Sequence, residues 1–233
     1  MTETVNLKEL ECKIGYEFIK PELLRRAVTH SSSLSEGLAE VSNERLEYLG
    51  DAVLELLVTR LLFASYPEAN EGQMTRIRAA VVSERPLSDV ADKLSLGHYL
   101  ILSRGMEKSG GRELSSILSD AVEALIGALY LDGGIESAEK FIMPYMIPKI
   151  ELAYKQGFKR DYKTRLQEYL QKDGNIAIHY KTESDDGPPH DKIFYTTVYA
   201  DGKPLGKGMG KSKKESQQQA AKGALIGLNE LKE

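Results

Sequence analysis

Thiol chemistry is almost missing from this chain: Cys12 is the one cysteine in 233 residues, so no internal disulfide can form and a reducing compartment is expected. Long apolar runs are missing too. Glu55 and Glu123 interrupt the two best candidates before either reaches the length of a membrane span. The stretch from Met1 to Lys8 has neither a basic n-region nor an apolar h-region, so no signal peptide is expected and the protein is expected to be cytoplasmic. Strand-like alternation is absent before residue 175, which leaves an all-α front. What remains, 41% hydrophobic and 28% charged residues, suits an ordinary globular protein large enough for two modest domains.

The net charge of −4 is unevenly spread. Residues 158–233 hold 14 Lys and Arg against 11 Asp and Glu, a net +3, which leaves −7 for the front. A mildly basic back is a weak sign of a polyanionic partner, and the placement of the charges matters more than their sum.

Two stretches carry the chemistry. Asn43-Glu44-Arg45-Leu46-Glu47-Tyr48-Leu49-Gly50-Asp51 opens a helix that is apolar nearly all round, which predicts burial. Yet Glu44, Glu47 and Asp51 fall at i, i+3 and i+7 and share one face. Ser119-Asp120-Ala121-Val122-Glu123-Ala124 lies in a second apolar helix, again with two acids on one face. Such stripes either point at water or face one another around a cation, because clustered buried carboxylates repel. Oxygen donors without His or Cys beside them suit a hard cation, Mg²⁺ or Mn²⁺, rather than Zn²⁺. No Cys–His or Ser–His–Asp arrangement accompanies these motifs, so a protein nucleophile is not indicated.

Between the motifs the signals are milder. Thr29-His30-Ser31-Ser32-Ser33 is polar, and His30 reads as a capping or buried histidine more readily than as a general base. A helix is predicted from Gln73 to Arg85, with Glu71 just before it, where the helix dipole favours an acid. Lys108-Ser109-Gly110-Gly111-Arg112 reads as a solvated connection, with phosphate contact the second reading. Pro144 and Pro148 are expected to break the helix over Ile135–Tyr154, and residues 156–160 form the expected linker between domains at 1–155 and 161–233.

The back half changes period. An amphipathic helix over Asp161–Gln171 precedes strand candidates at Ile176–Glu183, Ile193–Ala200 and Leu205–Met209, and a helix over Lys213–Leu231 follows. Asp201-Gly202 marks a hairpin. Ser212 and Glu215 have capping-box spacing, so Lys211, Lys213 and Lys214 gather at a helix N-terminus. Cations there are locally unfavourable, and either a polyanion explains them or they are a solvated run.

The two acidic motifs, with Leu129-Tyr130-Leu131-Asp132-Gly133-Gly134 after the second, resemble the ribonuclease III family, with Tyr48 where Phe is more usual. Lys211-Ser212-Lys213-Lys214-Glu215 followed by Ala220-Ala221 resembles a double-stranded-RNA-binding domain. The resemblance spans almost the whole chain. It implies a multidomain fold, all-α followed by α-β-β-β-α, and a Mg²⁺-dependent endoribonuclease acting on double-stranded RNA such as rRNA precursors and structured mRNA. Its products would carry 5′-phosphate and 3′-hydroxyl ends with short 3′ overhangs. The rival reading is a non-cleaving regulator that binds duplex RNA. Carried over by position, Glu47, Asp51, Asp120 and Glu123 hold the metal, Asp51 and Glu123 are catalytic, and Glu44 and Glu71 are auxiliary acids. Gln167, Gln171 and His190 contact minor grooves, while Lys211, Ser212, Lys213 and Lys214 grip phosphate. One acidic set per chain and no internal repeat imply a homodimer through the endonuclease domain, with Tyr48 either inserted into the partner or packed in its own core.

Overall fold

The computed structural model describes residues 6–158, 162–172, 176–184 and 192–230. The chain divides into two compact units, Met1–Tyr154 and Lys155–Glu233.

The first unit is helical: α1 (Leu7–Ile14), α2 (Pro21–Ala27), α3 (Glu44–Ser65), α4 (Glu71–Val81), α5 (Glu84–Leu94), α6 (Arg104–Lys108) and α7 (Ser115–Phe158), with short 3₁₀ turns between some of them. Local chemistry sets the ends. Asn6 accepts from the Glu9 N–H to start α1, and Gly15 closes it in the left-handed conformation at φ 73°. Pro21 stands at the start of α2, where its missing N–H costs nothing. Asn70 and Gln73 form a reciprocal capping box at α4. That box makes Glu71 the first residue of α4 rather than the residue before it, and α4 ends at Val81. Arg85 belongs to α5, because the Ser83 break starts a new helix.

Leu54, Leu57, Leu62, Leu125, Ile126 and Leu129 are among the fully buried side chains where α3 and α7 meet the core. Each such burial contributes roughly 1.5–3 kcal/mol. The N-terminal segment is pinned to α7 by Asp132, which accepts from the Tyr16 hydroxyl (3.0 Å) and from the backbone N–H groups of Ile19 (2.7 Å) and Lys20 (2.9 Å).

Two expectations for α7 are corrected. Its non-helical residue is Gly134 (φ 78°, ψ −176°), while Pro144 and Pro148 lie inside helix. Phe141, Ile142, Met146 and Ile150 around them are buried, and this packing offsets the hydrogen bonds the prolines remove. Gln156–Phe158, expected as the start of a linker, continue the helix. The polar connection at 108–112 is fastened rather than loose. The Arg112 guanidinium donates to the carbonyls of Gly97 (2.7 Å) and Leu100 (2.8 Å) and pairs with Glu107.

The second unit has α8 (Tyr162–Gln171), an antiparallel sheet β1 (Ile178–Ser184), β2 (Phe194–Ala200), β3 (Lys203–Gly210) in that order, and α9 (Lys213–Gly227). Asp201 (φ 48°) and Gly202 (φ 78°) make the β2–β3 turn, as the Asp-Gly pair predicts. Leu166, Leu170, Val198, Ala220, Ala221, Ala224 and Leu225 form a separate small core. Gly206, Gly208 and Gly210 alternate along β3 because a side chain at any of them would overlap α9, whose backbone at Ala220 and Ala224 lies directly against the strand.

Candidate active site and nucleic-acid interface

α3 and α7 cross unusually closely, and glycine makes the crossing possible. A Cβ on Gly50 would overlap the Glu123 carbonyl and lie 2.9 Å from the Gly127 nitrogen. A Cβ on Gly127 would overlap the Leu46 carbonyl and come within 3.2 Å of the Gly50 nitrogen. With no side chain on either, the two backbones meet, and the acids one turn away on each helix converge.

Oxygen atoms of Glu47, Asp120 and Glu123 come within 4.8 Å of one another, all three side chains half-buried. Burial, then the charges of Asp51, Asp120 and Glu47, push the Glu123 carboxyl up to about 8. Burial, then Asp120, Glu44 and Asp51, raises Glu47. Asp120 is raised by burial and, to a lesser extent, by the charge of Glu84, while the Ser119 hydroxyl and His30 act to lower it. Such a trio is uncomfortable by itself. Its donor set, carboxylate oxygen throughout, fits a hard divalent cation.

Two of the other expected acids, Asp51 and Glu44, stand beside this trio, and Glu71 does not. Asp51 is exposed one turn beyond Glu47 and acts on both Glu47 and Glu123 through its charge. Glu44 accepts from the Ser42 hydroxyl (2.9 Å) and acts on Glu47. Glu71 sits in the first turn of α4 and accepts from the Thr75 hydroxyl (3.3 Å), apart from the trio. His30 holds its Nδ1 on Ser32, accepting from the backbone N–H (3.2 Å) beside the hydroxyl (2.9 Å), so the capping role stands. Glu84 was missed in the sequence; it opens α5 and reaches Asp120 only through tertiary packing, with no local signal. Gly50 and Gly127 did leave a signal, as glycines inside two otherwise apolar helices.

In the second unit Ser212 caps α9, accepting from the Glu215 N–H (3.2 Å), and the Glu215 carboxylate returns to the Lys211 N–H (2.8 Å). Lys211, Lys213 and Lys214 are exposed around this end. Gln167 and Gln171 are exposed on α8, one donating to the other at 3.5 Å. His190 lies outside the described residues.

A model of the ribonuclease-III-like family matches residues 20–150, and the double-stranded RNA binding motif matches residues 162–228. The chain belongs to the ribonuclease III family. Ribonuclease 3 of Clostridium perfringens is 47% identical over 228 residues, 98% of this chain and 96% of that protein. Ribonuclease 3 of Clostridium tetani is 46% identical over 233 residues, 100% of this chain and 99% of that protein. Among solved structures, a nuclease domain of ribonuclease III from Campylobacter jejuni is 40% identical with a TM-score of 0.57, covering 62% of this chain and 98% of that one. Both acidic motifs of this ribonuclease III chain lie inside the first match, and both the α8 glutamines and the α9 lysines lie inside the second. Among the described residues no helix is long and apolar enough to cross a membrane.

Proposed function

We propose that this ribonuclease III family chain is a cytoplasmic endoribonuclease that hydrolyses phosphodiesters in double-stranded RNA, with Mg²⁺ as the working ion and Mn²⁺ able to substitute. The observation that carries this reading is the convergence of Glu47, Asp120 and Glu123 from two helices. A protein that only bound RNA would gain nothing from gathered carboxylates, which repel phosphate. These three, with Asp51 beside them, would hold the ion, and Asp51 and Glu123 are assigned the catalytic roles. The bound ion supplies an acidified water and charge stabilisation at the scissile phosphate. Glu44 and Glu71 are auxiliary acids, Glu44 being held in place by Ser42. The nuclease domain is assigned to residues 1–155 and the RNA-binding domain to 161–233. There Gln167 and Gln171 face one minor groove, and His190 is assigned to the next. Lys211, Ser212, Lys213 and Lys214 meet phosphate where the N-terminus of α9 already favours anions.

The nuclease units pair as a homodimer. Tyr48 is 83% exposed and Phe63 77% exposed, and with Leu56 they form one stripe along α3 at i, i+8 and i+15. A stripe of that kind on a core helix fits a self-complementary two-fold interface. The Campylobacter jejuni domain is described as having a region involved in dimer formation. Two acidic sites related by a two-fold axis suit the two strands of a duplex, with staggered cuts, short 3′ overhangs and 5′-phosphate ends. Incubation with a long RNA duplex tests the whole reading. Cleavage in Mg²⁺ and none in EDTA is expected, and an intact duplex in saturating Mg²⁺ would overturn it.

A further inference from the structure

The sheet of the second unit carries a surface that neither the acidic trio nor the lysine-bearing end of α9 uses. α9 packs on one face, burying Val198 and, through the Ser216 hydroxyl (2.7 Å), Thr196. Alternation along β2 then turns Tyr195, Thr197 and Tyr199 to the opposite face. Tyr195 is 49% exposed and lies opposite Met209 of β3, itself 64% exposed. Thr197 lies between Lys181 of β1 and Lys207 of β3, both exposed. Tyr199 is half-buried and within electrostatic reach of Lys181. Two tyrosines roughly 13 Å apart on one strand are thus separated by a cross-strand pair of lysines. Lys181 is also paired with Glu183 (2.9 Å), which leaves Lys207 as the stronger positive contact.

We propose that this open face binds single-stranded RNA, with bases stacking on Tyr195 and Tyr199 and phosphates held by Lys207 and Lys181. Aromatic rings interleaved with cations on an open sheet suit this ligand, because every unpaired base offers a π face and every nucleotide a phosphate. A duplex is excluded from the same contacts, since its bases are already stacked on one another. A second copy of the chain docked here through a two-fold axis would set the lysine row against itself.

The test uses the full chain in EDTA with a fluorescently labelled uridine oligomer too short and uniform to pair. The chain has no tryptophan, so Tyr195→Trp places a single indole on this face. Quenching of that indole by the oligomer is expected. Tyr195→Ala combined with Lys207→Ala is expected to weaken oligomer binding about tenfold while duplex binding is retained, the loss of one stacked base being of that order. Unquenched indole, or oligomer binding unchanged in the double variant, overturns the proposal. So does loss of oligomer binding on neutralising Lys211, Lys213 and Lys214 instead, which places the single strand in the duplex site. A fall in sedimentation coefficient for Tyr195→Ala with unchanged RNA binding also overturns it, in favour of a protein contact.

Discussion

Gly50 of α3 and Gly127 of α7 lie against each other with no side chain between them, and the carbonyls of Glu123 and Leu46 occupy the space where their β-carbons would stand. The metal-type geometry depends on that contact. Glu47 is three residues before Gly50, and Glu123 is four before Gly127, so any separation of the helices pulls the carboxylates apart.

Gly50→Ala is therefore expected to lower unfolding stability by about 1–3 kcal/mol, the usual range for overpacking a tight contact. Mg²⁺ affinity should fall with it, read by calorimetric titration. A variant with native stability and native Mg²⁺ affinity would show that the helix crossing is not what sets the site.

Glu123→Gln keeps the shape and removes a charge. Duplex binding should persist while cleavage falls by orders of magnitude, because the cation's stabilisation of the reacting phosphate is lost. Gel-shift and cleavage assays on the same RNA separate the two effects. Undiminished turnover in saturating Mg²⁺ removes Glu123 from the site.

The raised Glu123 carboxyl also makes the metal-free protein sensitive to pH. Its value of about 8 lies above the ordinary 4.5, so between those values the folded chain holds a proton that the unfolded chain releases. The associated stability is full below 4.5 and is lost as pH rises through about 8. Thermal melts in EDTA should therefore show Tm declining over that window. Glu123→Gln should flatten the decline, and Mg²⁺ should restore the native protein at the alkaline end. An equal slope in the variant would assign the effect elsewhere.

Neutralising Lys211, Lys213 and Lys214 together is expected to weaken duplex binding and reduce its log–log salt slope by about three, roughly one per phosphate contact. An unchanged slope means those lysines are solvated and do not touch RNA.

Tyr48→Ala removes the most exposed aromatic of the α3 stripe. Self-association should weaken by about tenfold or more, as for an interface anchor, without loss of monomer stability. Sedimentation equilibrium measures the first and thermal unfolding the second. A variant that dimerises normally would leave the stripe without its proposed partner.

Much of this protein was determined by local sequence. Caps, turn residues and periodicity placed Ser212 before α9, Asp201-Gly202 between β2 and β3, and the acids on shared faces of α3 and α7, because each depends on neighbours within a few residues. Period alone misled on α3, whose apolar residues on every side implied full burial although Tyr48, Leu56 and Phe63 face outward. Composition also misled on α7, where the exposed Pro144 and Pro148 stay helical because the other side of the helix is packed through Ile142, Met146 and Ile150, and Gly134 makes the break. Only the tertiary structure decided that Glu47 meets Asp120 and Glu123, and that Glu84 reaches Asp120. Spacing along a helix fixes which face a carboxylate shares, but the distance between two helices is set by the side chains at their crossing. Here those side chains are absent, at Gly50 and Gly127, and that absence brings three repelling acids within reach of one another.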